Sequence, residues 1–291
     1  LYTLVAFAIL FSSCDIDRTP EWRQDETKVT PESFDMILNG CYAQIKGWAD
    51  VMHRVREYPA DNIVIRGSST DKFFPFISYL PTEDNYRLDA YWGNSLKVIQ
   101  RTSTMINSTA LDDDAMKNKI GEAYYLRGLC YFYMFNTWGR PYYQNPETNL
   151  GVPIINKYDP LNDDPKTLPD RSTVKQVYDQ AIADMQKAAQ LMNSPRGAAY
   201  ASKEAAWAML SRIYLYMGGT WDAPVAANNE LAIKYADSVI NSGRYSLLPY
   251  DNFKNYNVYA PTDEVQKETI FAISHVAVDY PGNYYSTIGS M

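Results

Sequence analysis

Between Asp84 and Asn94 the chain interleaves flat rings with groups that hydrogen-bond hydroxyls: Asp84-Asn85-Tyr86-Arg87, then Tyr91-Trp92-Gly93-Asn94. Rings stacked on apolar faces, beside a few carboxylate, amide and guanidinium groups, are the chemistry that holds neutral sugars. A second cluster, Phe73-Phe74-Pro75-Phe76, is either a solvent-facing stacking arc or a loop pinned to the core. Tyr91 and Trp92 are consecutive, so on a helix they cannot share one side, and one of them belongs to the core. Trp92 is thus either a ligand contact or a helix anchor. Hydrolytic and metal chemistry find no comparable support. His53 and His275 are the only histidines and lie far apart, with no H-E-x-x-H or other clustered ligand spacing. No G-x-S-x-G elbow or phosphate-cradling glycine loop occurs. Asp112-Asp113-Asp114 reads as the front of a helix and Asp163-Asp164 as a loop. No acid is set apart as one of a glycosidase pair, so the sequence implies no enzyme, metal or cofactor.

Helices must position these groups. Thr30-Pro31-Glu32 has the form of a helix start, and Phe34, Ile37, Leu38, Cys41, Tyr42, Ile45 and Trp48 follow as one apolar face. An irregular region is expected over 49–84. The second helix carries Leu88, Ser95, Leu96, Ile99, Thr102 and Ile106 on one side, together with one of Tyr91 and Trp92. The third, over about 115–137, is aromatic nearly all round and belongs in the middle of a packed array. A proline-rich loop over 140–170 precedes a helix opened by Ser172, and Ser202 caps the next, which ends at Gly218-Gly219. A last helix stops at Gly243. Trp207, Leu210, Ser211 and Tyr214 match the W-x2-L-G-x2-Y spacing of a tetratricopeptide first helix, and Leu126, Leu129, Cys130 and Tyr133 match it more loosely. Ala232 and Ala236 have the small-residue pattern of a second helix, after an enlarged loop at 221–228. The expected fold is therefore mainly α: three tetratricopeptide-like helix pairs with long inserted loops and little β, Trp207 buried between helices.

Composition fits an exported globular protein: 46% apolar residues, 21% charged and a net charge of −7, a balance that argues against nucleic acid. Tyrosine is in excess, 25 against 10 Phe, which suits half-wet helix packing or a stacking surface. Leu1 to Phe11 is an uncharged apolar run, Ser12 and Ser13 are small, and Cys14 closes the segment. That is the pattern of a lipoprotein signal over 1–13, with Cys14 lipidated and 14–29 a polar tether. Leu1 in the place of Met, without a basic n-region, implies that residues precede it. Cys41 and Cys130 fall in helical apolar patterns, as buried thiols or as a disulfide pair.

With anchor and helices in place, the chain resembles the SusD/RagB family of outer-membrane nutrient-binding lipoproteins. Cys14-Asp15-Ile16-Asp17-Arg18-Thr19-Pro20 is similar to the family's mature start. Gly121 to Gly128 through Phe135 to Gly139-Arg140-Pro141 resembles its central block, and Gly151-Val152-Pro153-Ile154 the segment that follows. Arg171 to Ala188, Lys203 to Tyr216 and Glu268-Thr269-Ile270-Phe271, the last a strand in the family, continue the resemblance in order. It implies a SusD-like α-α superhelix over 30–291, the N-terminal part of a longer domain. It also implies an anchored surface protein that binds oligosaccharide, or in some relatives peptide or glycopeptide, without catalysis. The partner would be a SusC-like TonB-dependent outer-membrane transporter. Ligand-contacting aromatics and an Asn near this point of the family make Trp92 and Asn94 the first candidates, with Tyr86, Arg87 and Phe74 beside them. A tetratricopeptide scaffold and an (α/α)-barrel glycosidase are the alternative classes. Loops of this length argue against the first, and the lack of a distinguished acid against the second.

Overall fold

Thr30 starts the first helix as the sequence predicts. Its hydroxyl accepts from the Ser33 backbone N–H (3.2 Å) while the Ser33 hydroxyl accepts from the Thr30 N–H (2.9 Å), a reciprocal cap that satisfies two orphan donors. Helix α1 (Pro31–Glu57) runs two turns beyond the expected end near residue 49. The reason is that Val51, Val55 and Tyr58 continue the inward stripe and are buried. The computed structural model describes residues 29–60, 74–80, 84–108, 114–156, 169–253 and 267–274. The signal-like stretch, Cys14, the tether up to residue 28, Phe73, Asp112-Asp113, Asp163-Asp164 and His275 lie outside these residues.

A short helix, α2 (Phe74–Ile77), precedes α3 (Tyr86–Ser108) and α4 (Asp114–Trp138). The proline-rich segment is not all loop. Strand β1 (Leu150–Pro153) pairs antiparallel with β2 (Arg171–Thr173), Leu150 opposite Thr173. Helix α5 (Val174–Leu191) follows directly, capped by Thr173 with Gln176 rather than by Ser172. Helix α6 (Lys203–Tyr216) is capped by Ser202 as expected, and Gly219 and Gly243 take positive φ after α6 and α7. Helix α7 (Ala226–Ile240) starts earlier than expected, inside the segment read as loop, and α8 (Tyr250–Phe253) closes the sequence of elements. Glu268 to Phe271 is not a strand here. A strand needs a ladder, and the main-chain bonds at its two ends go to different segments: the Ser246 N–H donates to the Lys267 carbonyl (3.2 Å) and the Ala272 N–H to the Ala198 carbonyl (2.9 Å).

Contacts run along the chain: α1 on α3, α3 on α4, α4 on α5, α5 on α6, α6 on α7, with α1 also on α4 and α4 on α6. This groups the helices as three hairpins, α1/α3, α4/α5 and α6/α7, whose first members also touch each other. The fold is the expected tetratricopeptide-like array, and α4 and α6, which carry the motif spacing, are first members. The motif's small position is Ser211, whose hydroxyl donates to the Ala232 carbonyl on α7 (2.8 Å). Trp207 departs from expectation. It is half-buried at the edge of the core, while Leu210 and Ile213 are fully buried. Helix α4 is buried from Asn118 to Phe135 on almost every side, at the centre of the array. Its glycines touch α5 closely. A Cβ on Gly121 would lie 2.6 Å from Met192 Cγ, and one on Gly128 3.1 Å from Asp184 Cβ.

Two polar networks are sealed in this core. Arg127 on α4 grips Asp184 on α5 with both prongs (2.9 and 2.7 Å) and reaches Ser103 on α3 (3.1 Å). Glu122 accepts from Tyr42 on α1, Asn118 on α4 and, doubly, Arg196 in the α5–α6 connection. Tyr42 in turn accepts from the Ala201 N–H (2.9 Å). Cys41 and Cys130 are buried free thiols, and burial pushes the Cys41 thiol up to about 12.

Candidate functional site

The head of α3 is fixed by Asn85, which is buried and caps the helix: its side-chain oxygen accepts from the Arg87 N–H (3.2 Å). Tyr86 then stands 57% exposed, with the half-buried Arg87 guanidinium 5.5 Å from its ring centre. A cation over a ring face both orients the ring and leaves its other face free to stack. One turn on, the choice between Tyr91 and Trp92 resolves. Tyr91 is the core residue, fully buried. Burial pushes its phenol far above the usual range, against the opposing pull of the Thr137 hydroxyl, so it remains a neutral O–H.

Trp92 is half-buried and meets Trp138 edge to face, centroids 4.9 Å apart at 84°. Trp138 ends α4 and also tilts against Tyr91 at 5.0 Å. Its backbone carbonyl lies 3.4 Å from the Arg171 guanidinium, which also donates to the β1 carbonyls of Gly151 (2.8 Å) and Leu150 (3.1 Å). The small sheet therefore holds the Trp138 end of α4 against α3. Asn94 is not brought to this ring pair. Two residues along a helix turn about 200°, and its amide faces α1, where a Cβ on Gly47 would stand 3.6 Å from Nδ2. Phe74 is half-buried on α2, whose Phe76 and Ile77 pack on the core. Tyr79, at φ 55°, ties that arc to the end of α1 by donating to the Pro59 carbonyl (2.6 Å). Trp138 is not among the candidates that the sequence offers. Its position as the last residue before Gly139, at a helix rim, was the signal that could have drawn it in.

The arrangement can stack and hydrogen-bond; its carboxylates serve other ends. Burial pushes the Asp184 carboxyl above the usual carboxylate range, the signature sought in a general acid, but Asp184 is 1% exposed and committed to Arg127. Among the described residues no cluster of His, Cys, Asp and Glu could hold a metal ion. Among them, too, no helix is long and apolar enough to cross a membrane.

Comparison with known proteins places this geometry. A SusD-like family profile, described as "Starch-binding associating with outer membrane", matches residues 21–215. No curated protein matches. Among solved structures, a SusD superfamily protein from Bacteroides thetaiotaomicron is 25% identical with a TM-score of 0.63, over 78% of this chain and 50% of that one. A SusD superfamily protein from Bacteroides vulgatus is 24% identical with a TM-score of 0.64, over 76% and 50%. A structure solved with a xylogluco-oligosaccharide is 21% identical with a TM-score of 0.65, over 87% and 48%. The chain spans about half the length of these relatives.

Proposed function

The chain belongs to the SusD-like family, and from that membership we propose that it is a glycan-binding lipoprotein of the outer membrane, anchored through Cys14 and facing the cell exterior. It captures oligosaccharide and passes it to a TonB-dependent transporter, and it performs no catalytic step. The observation that carries this reading is the pair of ring sites on α3: Tyr86 exposed over Arg87, and Trp92 set against Trp138 at a rim of the array. The family's description as starch-binding and the relative solved with a xylogluco-oligosaccharide support an oligosaccharide ligand whose sugar rings stack at α3. Rings rather than charges hold such a ligand.

Titration calorimetry with starch- and xyloglucan-derived oligosaccharides tests the reading. Tyr86→Ala should weaken binding by about 1–3 kcal/mol, the scale of one lost aromatic stack, without moving the melting temperature. Trp92→Ala should weaken it by a similar amount and also lower the melting temperature, because half of that ring is packing. If both variants fold and bind every oligosaccharide as wild type does, α3 is not the site. Turnover of any of these glycans would overturn the binding-protein reading itself.

A further inference from the structure

Three arginines in or against the core face a carboxylate: Arg127 on Asp184, Arg196 on Glu122 and Arg244 on Glu204. Arg56 and Arg212 do not. Among the described residues neither has a carboxylate partner, and their bonds go to tyrosines instead. Arg56, in the last turn of α1, lies 5.0 Å from the Tyr133 ring centre and 5.7 Å from that of Tyr216, and donates from Nη2 to the Tyr216 hydroxyl. Its Nη1 is buried with no acceptor. Arg212, exposed on α6, donates from Nη1 to the Tyr133 hydroxyl on α4 (2.8 Å).

The direction of these bonds matters. A hydroxyl that accepts from a guanidinium keeps its own proton to give, and the cation polarises that proton toward a further acceptor. No acceptor for the Tyr133 or the Tyr216 proton is present among the described residues. Neither residue is sealed in the core: Tyr216 is 41% exposed and Tyr133 half-buried. The first members of all three hairpins thus converge on a cluster of donors that carries two positive charges with no carboxylate bonded to them among the described residues. A neutral hydroxyl would meet the donors but leave the charge uncompensated. A carboxylate or sulfate meets both, through charge-assisted bonds.

We infer that Arg56, Tyr133, Arg212 and Tyr216 form a binding site for an anionic group, the carboxylate or sulfate ester of an acidic oligosaccharide. The anion chemistry stands on this cluster alone; its oligosaccharide carrier rests on the function proposed above.

The whole chain, at low ionic strength, is titrated with sodium glucuronate, sodium sulfate and glucose, then with a uronate-bearing oligosaccharide and its carboxyl-reduced neutral counterpart. The inference expects saturable binding of glucuronate or sulfate and none of glucose, with the acidic oligosaccharide bound tighter than the neutral one. Tyr133→Phe with Tyr216→Phe, which removes two hydroxyls and keeps both rings, should weaken anion binding about tenfold and abolish the preference for the acidic oligosaccharide. Binding of the neutral oligosaccharide should persist. Should that double variant not fold, the exposed Arg212→Gln provides the same comparison. No saturable anion binding to the folded wild type, or equal binding by the variants, overturns the site. Small anions bound without preference for the acidic oligosaccharide overturn the carrier. Loss of neutral binding in Tyr86→Ala concerns the α3 site and leaves this one standing.

Discussion

Asp184 shows how one buried charge is tolerated at the cost of a partner. Burial pushes its carboxyl up and would pull the Arg127 guanidinium down; the two-pronged bridge offsets the first in part and outweighs the second. The geometry is that of an ion pair, with Arg127 Nη2 2.7 Å from Asp184 Oδ1. Replacing Arg127 with Met removes the opposing charge and leaves the Gln180 amide (2.9 Å) to work against burial, so the folded carboxyl rises further. Breaking a buried pair in this way should cost about 3–5 kcal/mol at neutral pH. The sign of the pH dependence then follows. A carboxyl raised in the folded state takes up a proton on folding, so its contribution is full below the ordinary carboxylate range and is lost as pH rises through the raised value. Arg127→Met should regain stability as pH falls from 7.5 toward 5, relative to wild type. Urea unfolding at both pH values checks this, and a parallel loss at both would mean the pair does not carry the charge assigned to it.

Among the elements, glycines discriminate open helix surface from close packing. Glycine in a helix interior ordinarily costs roughly 0.5–1 kcal/mol relative to Ala. A Cβ on Gly40 in α1 would meet nothing within 4 Å, so Gly40→Ala should gain about that amount. Gly121→Ala should lose stability, because its Cβ would overlap Met192 and press on α5. Thermal unfolding of the two single variants tests the α4/α5 contact, and equal gains would show that α5 sits farther away. Much at this scale was legible in the sequence. Thr30 and Ser202 announce their helices because a cap is a local bond, and the three helix pairs follow from apolar spacing. What was not legible depended on residues far away in the chain. The pairing of Leu150 with Thr173 spans a long connection, and Glu268 to Phe271 carries strand-forming residues but joins no strand among the described residues. At the candidate site the rings of α3 were legible as types. That Trp92 meets Trp138 while Asn94 turns to α1 is tertiary, as is the gathering of Arg56, Tyr133 and Tyr216 from three helices.

For the whole molecule, a line of helices that touch mainly their neighbours would ordinarily come apart piece by piece from an end. The Glu122 network opposes that. Its carboxylate collects bonds from α1, from its own helix and from Arg196 in the connection into α6, while Ala201 at the end of that connection bonds the Tyr42 hydroxyl, so the three hairpin regions meet at one acceptor network. Glu122→Gln keeps the volume but gives up the charge. Arg196 is partly open to water, so the loss should be moderate, about 1–3 kcal/mol. The larger effect should be on how the loss is distributed. In wild type, backbone amides of α1, α4 and α6 should exchange with deuterium at similar slow rates, opening together. In the variant, α6 and α7 should exchange well ahead of α4. Uniform protection in both proteins would mean that the carboxylate is not the tie. The consequence reaches past stability: under a force applied at one end, the three hairpin regions would resist as one block.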